Sequence, residues 1–396
     1  MAFSPIENNS RIKTVDALRG FALLGIIIAN IPFAGNIDQV IANRTHIIGS
    51  PHADELFNIL FHWFIDKKFI TIFSILFGFG FYIQMSRASE KLVAFRPYFL
   101  RRMLILLLIG CIHAYIFWFG DIIRDYAIGG IFLLLFYRLR ETGIRRLAVL
   151  FVVIITGIIY IVNSLELLHY KYDTAIINQL ESSTTYLRYL KVNFTVDPFH
   201  NFLMDSPITL SYTFGNILFG FWLGKKGFFK EPLKFGKMTG WWIGIGSTIG
   251  IGCSVLFWML LTGTFEITLP LIWVIFIIVA GLWMQSLFYI GLFMRMINNK
   301  MFNRLLMFFA PVGKLALTNY LLQTIFYIIF FFHWFPGLKL YGMLTRTETY
   351  LVAILLYIVQ LFLSRIWLRY FEQGPVEYLW RSLTYRRVTL LKVTGQ

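Results

Sequence analysis

The chain has 396 residues, 58% of them hydrophobic and only 14% charged, against about 25% charged in a soluble domain. That balance excludes a soluble enzyme and, with apolar runs long enough to cross a bilayer, predicts an all-α polytopic membrane protein. A net charge of +16 would suggest a nucleic-acid partner in a soluble protein. Here the basic residues lie in short segments between apolar runs, so the expected partner is the lipid bilayer and not nucleic acid. Cys111 and Cys253 both sit inside apolar runs, which gives no disulfide framework and no thiolate metal site.

A mostly polar stretch precedes the first apolar run, and no small-residue cleavage site follows it, so the run reads as a retained span. This span, Val15 to Phe33, carries Asp16, Arg19 and Asn30, which a helical step of about 100° places on one face. A charge facing lipid costs roughly 2.5–3.5 kcal/mol, so the stripe is expected to face other helices, with Asp16 and Arg19 at the cytoplasmic end. Asp16 and Arg19 form either an i,i+3 anchoring pair or part of a substrate path.

Ten candidate spans follow from the apolar runs: 17–35, 69–86, 102–119, 122–137, 147–165, 207–224, 239–261, 268–291, 308–332 and 350–370. Every second connection is basic, at 87–102, 138–146, 225–237 and 295–304, as is the tail that holds Arg381, Arg386, Arg387 and Lys392. The positive-inside rule then puts both termini in the cytoplasm and the long connections 36–68 and 166–206 outside. Within those outer loops Glu55 to Ile65 and Tyr186 to Phe194 read as short interfacial helices. Residues 1–372 make one transmembrane domain, and 373–396 form a cytoplasmic interfacial tail whose short amphipathic helix starts at Pro375. That helix either anchors the chain at the head groups or touches a cofactor.

The seven histidines avoid the cytoplasmic loops. His46, His52 and His62 fall in the first outer loop, His169 and His200 in the second, His333 at the outer end of span nine, and His113 within span three. Their spacing matches no standard ligand motif, so no metal site is expected.

Two further stretches carry chemistry. In residues 111–130, His113 lies inside a span, Gly120 and Asp121 break the chain, and Arg124, Asp125 and Tyr126 open the return helix. A membrane histidine needs a polar partner or water. It is either an interhelical hydrogen bond or a general acid–base oriented by Asp121 or Asp125. In the segment from Pro311, Asn319 and Gln323 share a helix face flanked by Thr318, with Lys314 towards the cytoplasm. Those amides either join helices or line a substrate path.

Five blocks in order, VDALRGFALLGIIIANI, FITIFSILFGFGFYIQ, HAYIFWFGDIIRDYAIGG, GKLALTNYLLQT and FEQGPVEYLWRSLTY, closely resemble the bacterial YeiB-like family and cover nearly the whole chain. Asp16, Arg19 and Gly20 match the family's first-helix motif; His113, Gly120 and Asp121 match its third, and Asn319 and Gln323 its ninth. That family looks like a branch of the transmembrane acyltransferases that include heparan-α-glucosaminide N-acetyltransferase. The resemblance implies transfer of an acyl group, acetyl being the first candidate, from a cytoplasmic acyl-CoA to a small-molecule, glycan or lipid acceptor at the outer face. It also implies a bacterial cytoplasmic membrane. Under that implication His113 is the base, Asp121 holds its tautomer and Asn319 stabilises the oxyanion. Arg19, Arg101 and Arg102 would hold the phosphates of acetyl-CoA or another acyl-CoA. Asp16, Asn30, Asp125, Tyr126, Thr318 and Gln323 would line the substrate path. A transporter or lipid-handling protein with the same polar-lined bundle is the alternative, and assembly as a homo-oligomer is left open.

Overall fold

A computed structural model describes residues 12–35, 48–90, 94–164, 183–196, 206–264 and 270–385. His46, His169 and His200, with Arg386, Arg387 and Lys392, lie outside the described residues. Among the described residues the structure is helical, and seven stretches are long and apolar enough to cross a membrane. An eighth arises if two helices bent by 80° at 300–331 are one span. The chain is a multi-pass membrane protein.

The first helix, α1 (Lys13–Gly35), is the centre of the bundle. Ala17, Leu18, Ala22, Leu23 and Ile27 on it are fully buried. They pack against α3 (Lys68–Glu90) and three helices from the other end of the chain. Before α3, α2 (Pro51–Phe64) starts where the hydroxyl of Ser50 accepts from Ala53 N at 3.3 Å, a side-chain cap that satisfies one orphan amide. It coincides with the helix expected at 55–65. The next span, α4 (Phe95–Ile112), ends in a π-helical turn, His113–Phe117, and residues 118–122 lead into α5 (Ile123–Phe136).

Two of the ten expected spans fall short of the length and apolarity of the others. The segment at 122–137 yields α5, with 14 helical residues. The segment at 207–224 lies in α9 (Ser206–Lys226), whose Ser211, Tyr212, Thr213 and Asn216 lower its apolarity. That helix is buried against α3, α5 and α6 (Glu141–Val149), so its polar residues meet protein and not lipid. At its crossing with α3, Gly78 and Gly220 face each other's backbones, and a Cβ on either would overlap a main-chain carbonyl of the partner helix. The α6 span continues through a π-helical stretch, Leu150–Ile155, into α7 (Thr156–Ser164); beyond it α8 (Tyr186–Val196) occupies the second long connection.

The later spans are α10 (Gly236–Ile245) with α11 (Ile251–Leu261), and α12 (Leu271–Met296). After α13 (Lys300–Leu306) comes a broken element, α14 (Ala310–Lys314) and α15 (Ala316–Phe331), parted at Leu315. The break leaves amides at the start of α15 without intrahelical partners. The carboxylate of Glu377, on the terminal helix α17 (Pro375–Tyr385), fills that role: it accepts from Leu317 N at 2.8 Å, Thr318 N at 3.1 Å and the Thr318 hydroxyl. Between them, α16 (Arg346–Tyr370) opens with a capping box of Thr345 and Glu348. Gly20 on α1 and Gly313 on α14 let those two helices touch, since a Cβ on either would strike main-chain atoms of the other segment.

Candidate functional site

The residues of the 111–130 block converge because α4 ends in a wide turn. Its last bond runs from Trp118 N to His113 O, five residues back, at 2.9 Å. The carbonyls this turn frees are taken by the outer helix α8. Asn193 Nδ2 donates to Ala114 O at 2.7 Å and Tyr115 O at 3.1 Å, the Tyr186 hydroxyl donates to Ile116 O at 3.0 Å, and the Tyr189 hydroxyl donates to Phe117 O. Asn193 Oδ1 also accepts from Phe119 N at 2.9 Å.

This turn brings His113 and Asp121 together. Nδ1 of the imidazole is 2.7 Å from Asp121 Oδ2, and the other carboxylate oxygen accepts Arg124 N at 2.9 Å and lies 3.7 Å from Arg124 Nε. His113 is 3% exposed and Arg124 1%, so the acid, base and cation form one desolvated unit. Nε2 of His113 is 2.9 Å from the Thr324 hydroxyl on α15. Sequence reasoning did not reach Thr324: it lies 211 residues away, and a lone hydroxyl in an apolar run gives no signal.

At the end of the bundle where α1, α4, α15 and α17 begin and α3 ends, two adjoining cavities of about 180 Å³ and about 330 Å³ share Arg19, Gln84, Arg102 and Arg381 in their walls. Lys314 lines the first, with Arg87 and Lys230 in the second, so six cations face Asp16, Glu90 and Glu377. The guanidinium of Arg102 stacks on Trp380 at 3.6 Å, and Trp380 Nε1 donates to Arg102 O at 2.9 Å. The terminal helix is thus a wall of the cavity as well as an amphipathic element. The inner end of the smaller cavity is formed by Tyr126, Ile122 and Tyr320. Tyr320 touches both regions: it lines the cavity, and its ring centroid is 5.5 Å from that of His113. Its hydroxyl accepts from Ile122 N and donates to Gly120 O, each at 3.3 Å.

The other expected residues divide. Arg19 and Asp16 line the wall, with Arg19 Nη1 3.4 Å from Asp16 Oδ1 and Nη2 3.4 Å from Leu76 O. Arg102 faces the cavity, whereas its neighbour Arg101 reaches Thr384 O at 3.3 Å and is absent from the lining. Asn319 is not held at the imidazole. Its amide donates to Val312 O at 3.1 Å and Ser364 Oγ at 2.9 Å. Gln323 donates to Gln360 Oε1 at 3.1 Å and Leu23 O at 3.3 Å. Because Gln360 and Ser364 are themselves four apart on α16, these contacts form a polar ladder between two helices, which favours the packing role over the path. Thr318 is bound to Glu377, Asp125 is buried beside Arg124 in sequence but outside both cavity linings, and half-buried Asn30 lines neither.

Comparison with known proteins agrees with the sequence blocks. A family model described as Protein of unknown function (DUF418) matches residues 223–387. Uncharacterized protein YxaH of Bacillus subtilis is 30% identical over 413 aligned positions, covering 97% of this chain and 96% of that protein. Uncharacterized protein YeiB of Escherichia coli is 29% identical over 405, covering 95% and 97%. With its ordered motifs and near full-length kinship, the chain belongs to the YeiB-like family of bacterial membrane proteins.

Proposed function

We propose that the protein is a membrane-embedded acyltransferase that moves an acyl group from a cytoplasmic acyl-CoA to an acceptor at the outer face. The observation that carries this reading is the cation-walled cavity that ends at Tyr320, directly against the buried His113–Asp121 pair. Phosphate groups suit Arg19, Arg102 and Arg381, because charge-assisted bonds to guanidinium are among the strongest available. A thin pantetheine-like arm suits the aromatic inner end, and a carboxylate-held imidazole suits proton removal from an attacking group. The resemblance to the transmembrane acyltransferases points the same way.

In this reading the basic connections and both termini lie in the cytoplasm of a bacterial inner membrane, and the short α5 and polar α9 complete ten spans. Glycans, lipids and small hydroxyl or amine compounds are the acceptor classes, reached from the side covered by α8.

The test is calorimetric binding of acetyl-CoA, a long-chain acyl-CoA and free coenzyme A to the detergent-purified protein. Saturable binding is expected, weakened by roughly 10- to 100-fold in Arg19→Ala, the loss of one or two charge-assisted contacts of about 1.5–3 kcal/mol. His113→Ala should bind the donor and transfer nothing. A folded protein that binds no acyl-CoA would overturn the reading in favour of transport or lipid handling.

A further inference from the structure

Both imidazole nitrogens of His113 are occupied, and their partners limit what the base can act on. Nδ1 faces a carboxylate oxygen at 2.7 Å, and a carboxylate only accepts, so in the neutral ring Nδ1 carries the proton. Nε2 is then the acceptor, and the hydroxyl 2.9 Å from it belongs to Thr324. Threonine in a helix commonly returns its hydroxyl to the carbonyl four residues back. Among the described residues Thr324 makes no such bond, and its hydroxyl is committed to the base. An acceptor could reach Nε2 only by displacing it.

We propose that Thr324 is the nucleophile of a buried Asp121–His113–Thr324 relay and carries the acyl group as an ester between donor and acceptor. This rests on the acyl-transfer reading above. In the first half, Thr324 Oγ1 attacks the thioester carbonyl carbon as its proton passes to His113 Nε2. The C–S bond breaks, and the departing thiolate takes that proton and leaves as the thiol of coenzyme A. In the second half, the acceptor hydroxyl or amine gives its proton to Nε2 and attacks the ester carbon. The C–Oγ1 bond breaks and Thr324 recovers the proton. The net change is acyl thioester plus acceptor to acylated acceptor plus thiol, with no other reactant. Asp121 stays ionised and stabilises the imidazolium in each half.

The placement suits a carrier. Thr324 lies one helical turn beyond Tyr320 on the same face of α15, so a thioester in the cavity meets it once the Tyr320 ring turns aside. Trp118, on the turn after His113, makes an edge contact with Tyr327 of α15 at 5.8 Å. Its indole N–H is buried and has no partner among the described residues, a donor that a transient oxyanion would satisfy. A covalent carrier also lets donor and acceptor approach from opposite sides at different times.

The experiment incubates purified protein with acetyl-CoA or a long-chain acyl-CoA in the absence of acceptor, quenches in acid and maps acyl groups by mass spectrometry of peptides. Wild type, Thr324→Ser, Thr324→Ala and Thr324→Val are compared, with donor binding measured in parallel. An acyl mass on the peptide holding Thr324 is expected, kept within about tenfold in Thr324→Ser. It should be lost in Thr324→Ala and Thr324→Val together with at least about 100-fold of coenzyme A release, while donor binding persists. The mapping on wild type does not depend on any variant folding. Donor binding without an adduct on Thr324 would overturn the carrier and leave His113 acting on the acceptor directly. No donor binding would overturn the acyl-transfer reading and the carrier with it.

Discussion

Replacing Asp121 by Asn isolates what the buried carboxylate does for the fold, independently of any reaction. Arg124 is 1% exposed, and its Nε lies 3.7 Å from Asp121 Oδ1. At an effective dielectric of about 20, that separation corresponds to roughly 4.5 kcal/mol of attraction. Removing one member of a buried pair costs about 3–5 kcal/mol because the other charge stays desolvated. The substitution is nearly isosteric, and the Asn oxygen can still accept Arg124 N, now bonded at 2.9 Å, while the amide NH2 takes the place of the oxygen that faces His113 Nδ1, so the loss combines the ion pair with that hydrogen bond. At about 2 °C per kcal/mol for a large domain, the midpoint of thermal unfolding should fall by roughly 6–10 °C. Tryptophan fluorescence in detergent can follow it, since the chain has 11 Trp. Asp121→Asn with Arg124→Met should recover much of the loss, as a double-mutant cycle would show. His113→Gln, which keeps the ion pair, should cost about 1–2 kcal/mol. An unchanged midpoint in Asp121→Asn, or strict additivity with Arg124→Met, would refute the pairing argument.

Two further outcomes follow from the same hydrogen-bond accounting. Asn193→Ala removes the partners of Ala114 O, Tyr115 O and Phe119 N and should destabilise the chain by about 2–4 kcal/mol. Hydrogen exchange should speed up in residues 114–119 and 186–196, and protection equal to wild type would count against α8 as the fastener of the turn. Glu377→Gln removes the anionic cap of α15 at an expected cost of about 1–2 kcal/mol. Amide exchange at Leu317 and Thr318 should rise while the rest of α15 is unchanged, and a uniform rise along the helix would sink the local explanation.

Much of the site was legible because it is local in sequence. His113, Gly120 and Asp121 fall within nine residues, and the need for a partner to a membrane histidine pointed to one of two nearby aspartates; Asp121 is the one that meets it. Thr324 was not legible because its meaning depends on α15 lying against the turn. Arg101 and Arg102 were indistinguishable by composition, yet adjacent helical residues diverge by about 100°, so one meets Thr384 and the other the cavity. Asn319 and Gln323 were correctly placed on one face, but the choice between path and packing needed the matching Gln360 and Ser364 on α16. The polar α9 shows the limit of apolarity as a guide. A helix surrounded by protein answers to its neighbours and not to lipid.

The wide turn at His113–Phe117 has a further consequence for how this chain tolerates change in length. Such a turn holds one residue more than the α-helical step would, with its closing bond reaching five residues back. Deleting any one of Ala114, Tyr115 or Ile116 would let the ladder close with ordinary four-residue steps. Trp118 would then stand four residues from His113 and could close the same bond, so the chain after it would keep its place relative to α4. Asp121 would stay near the imidazole, and the misfit would fall on the carbonyls of the turn that α8 now binds. The spare residue acts as slack, which lets this short stretch absorb a single-residue gap that would turn the rest of a regular helix by about 100°.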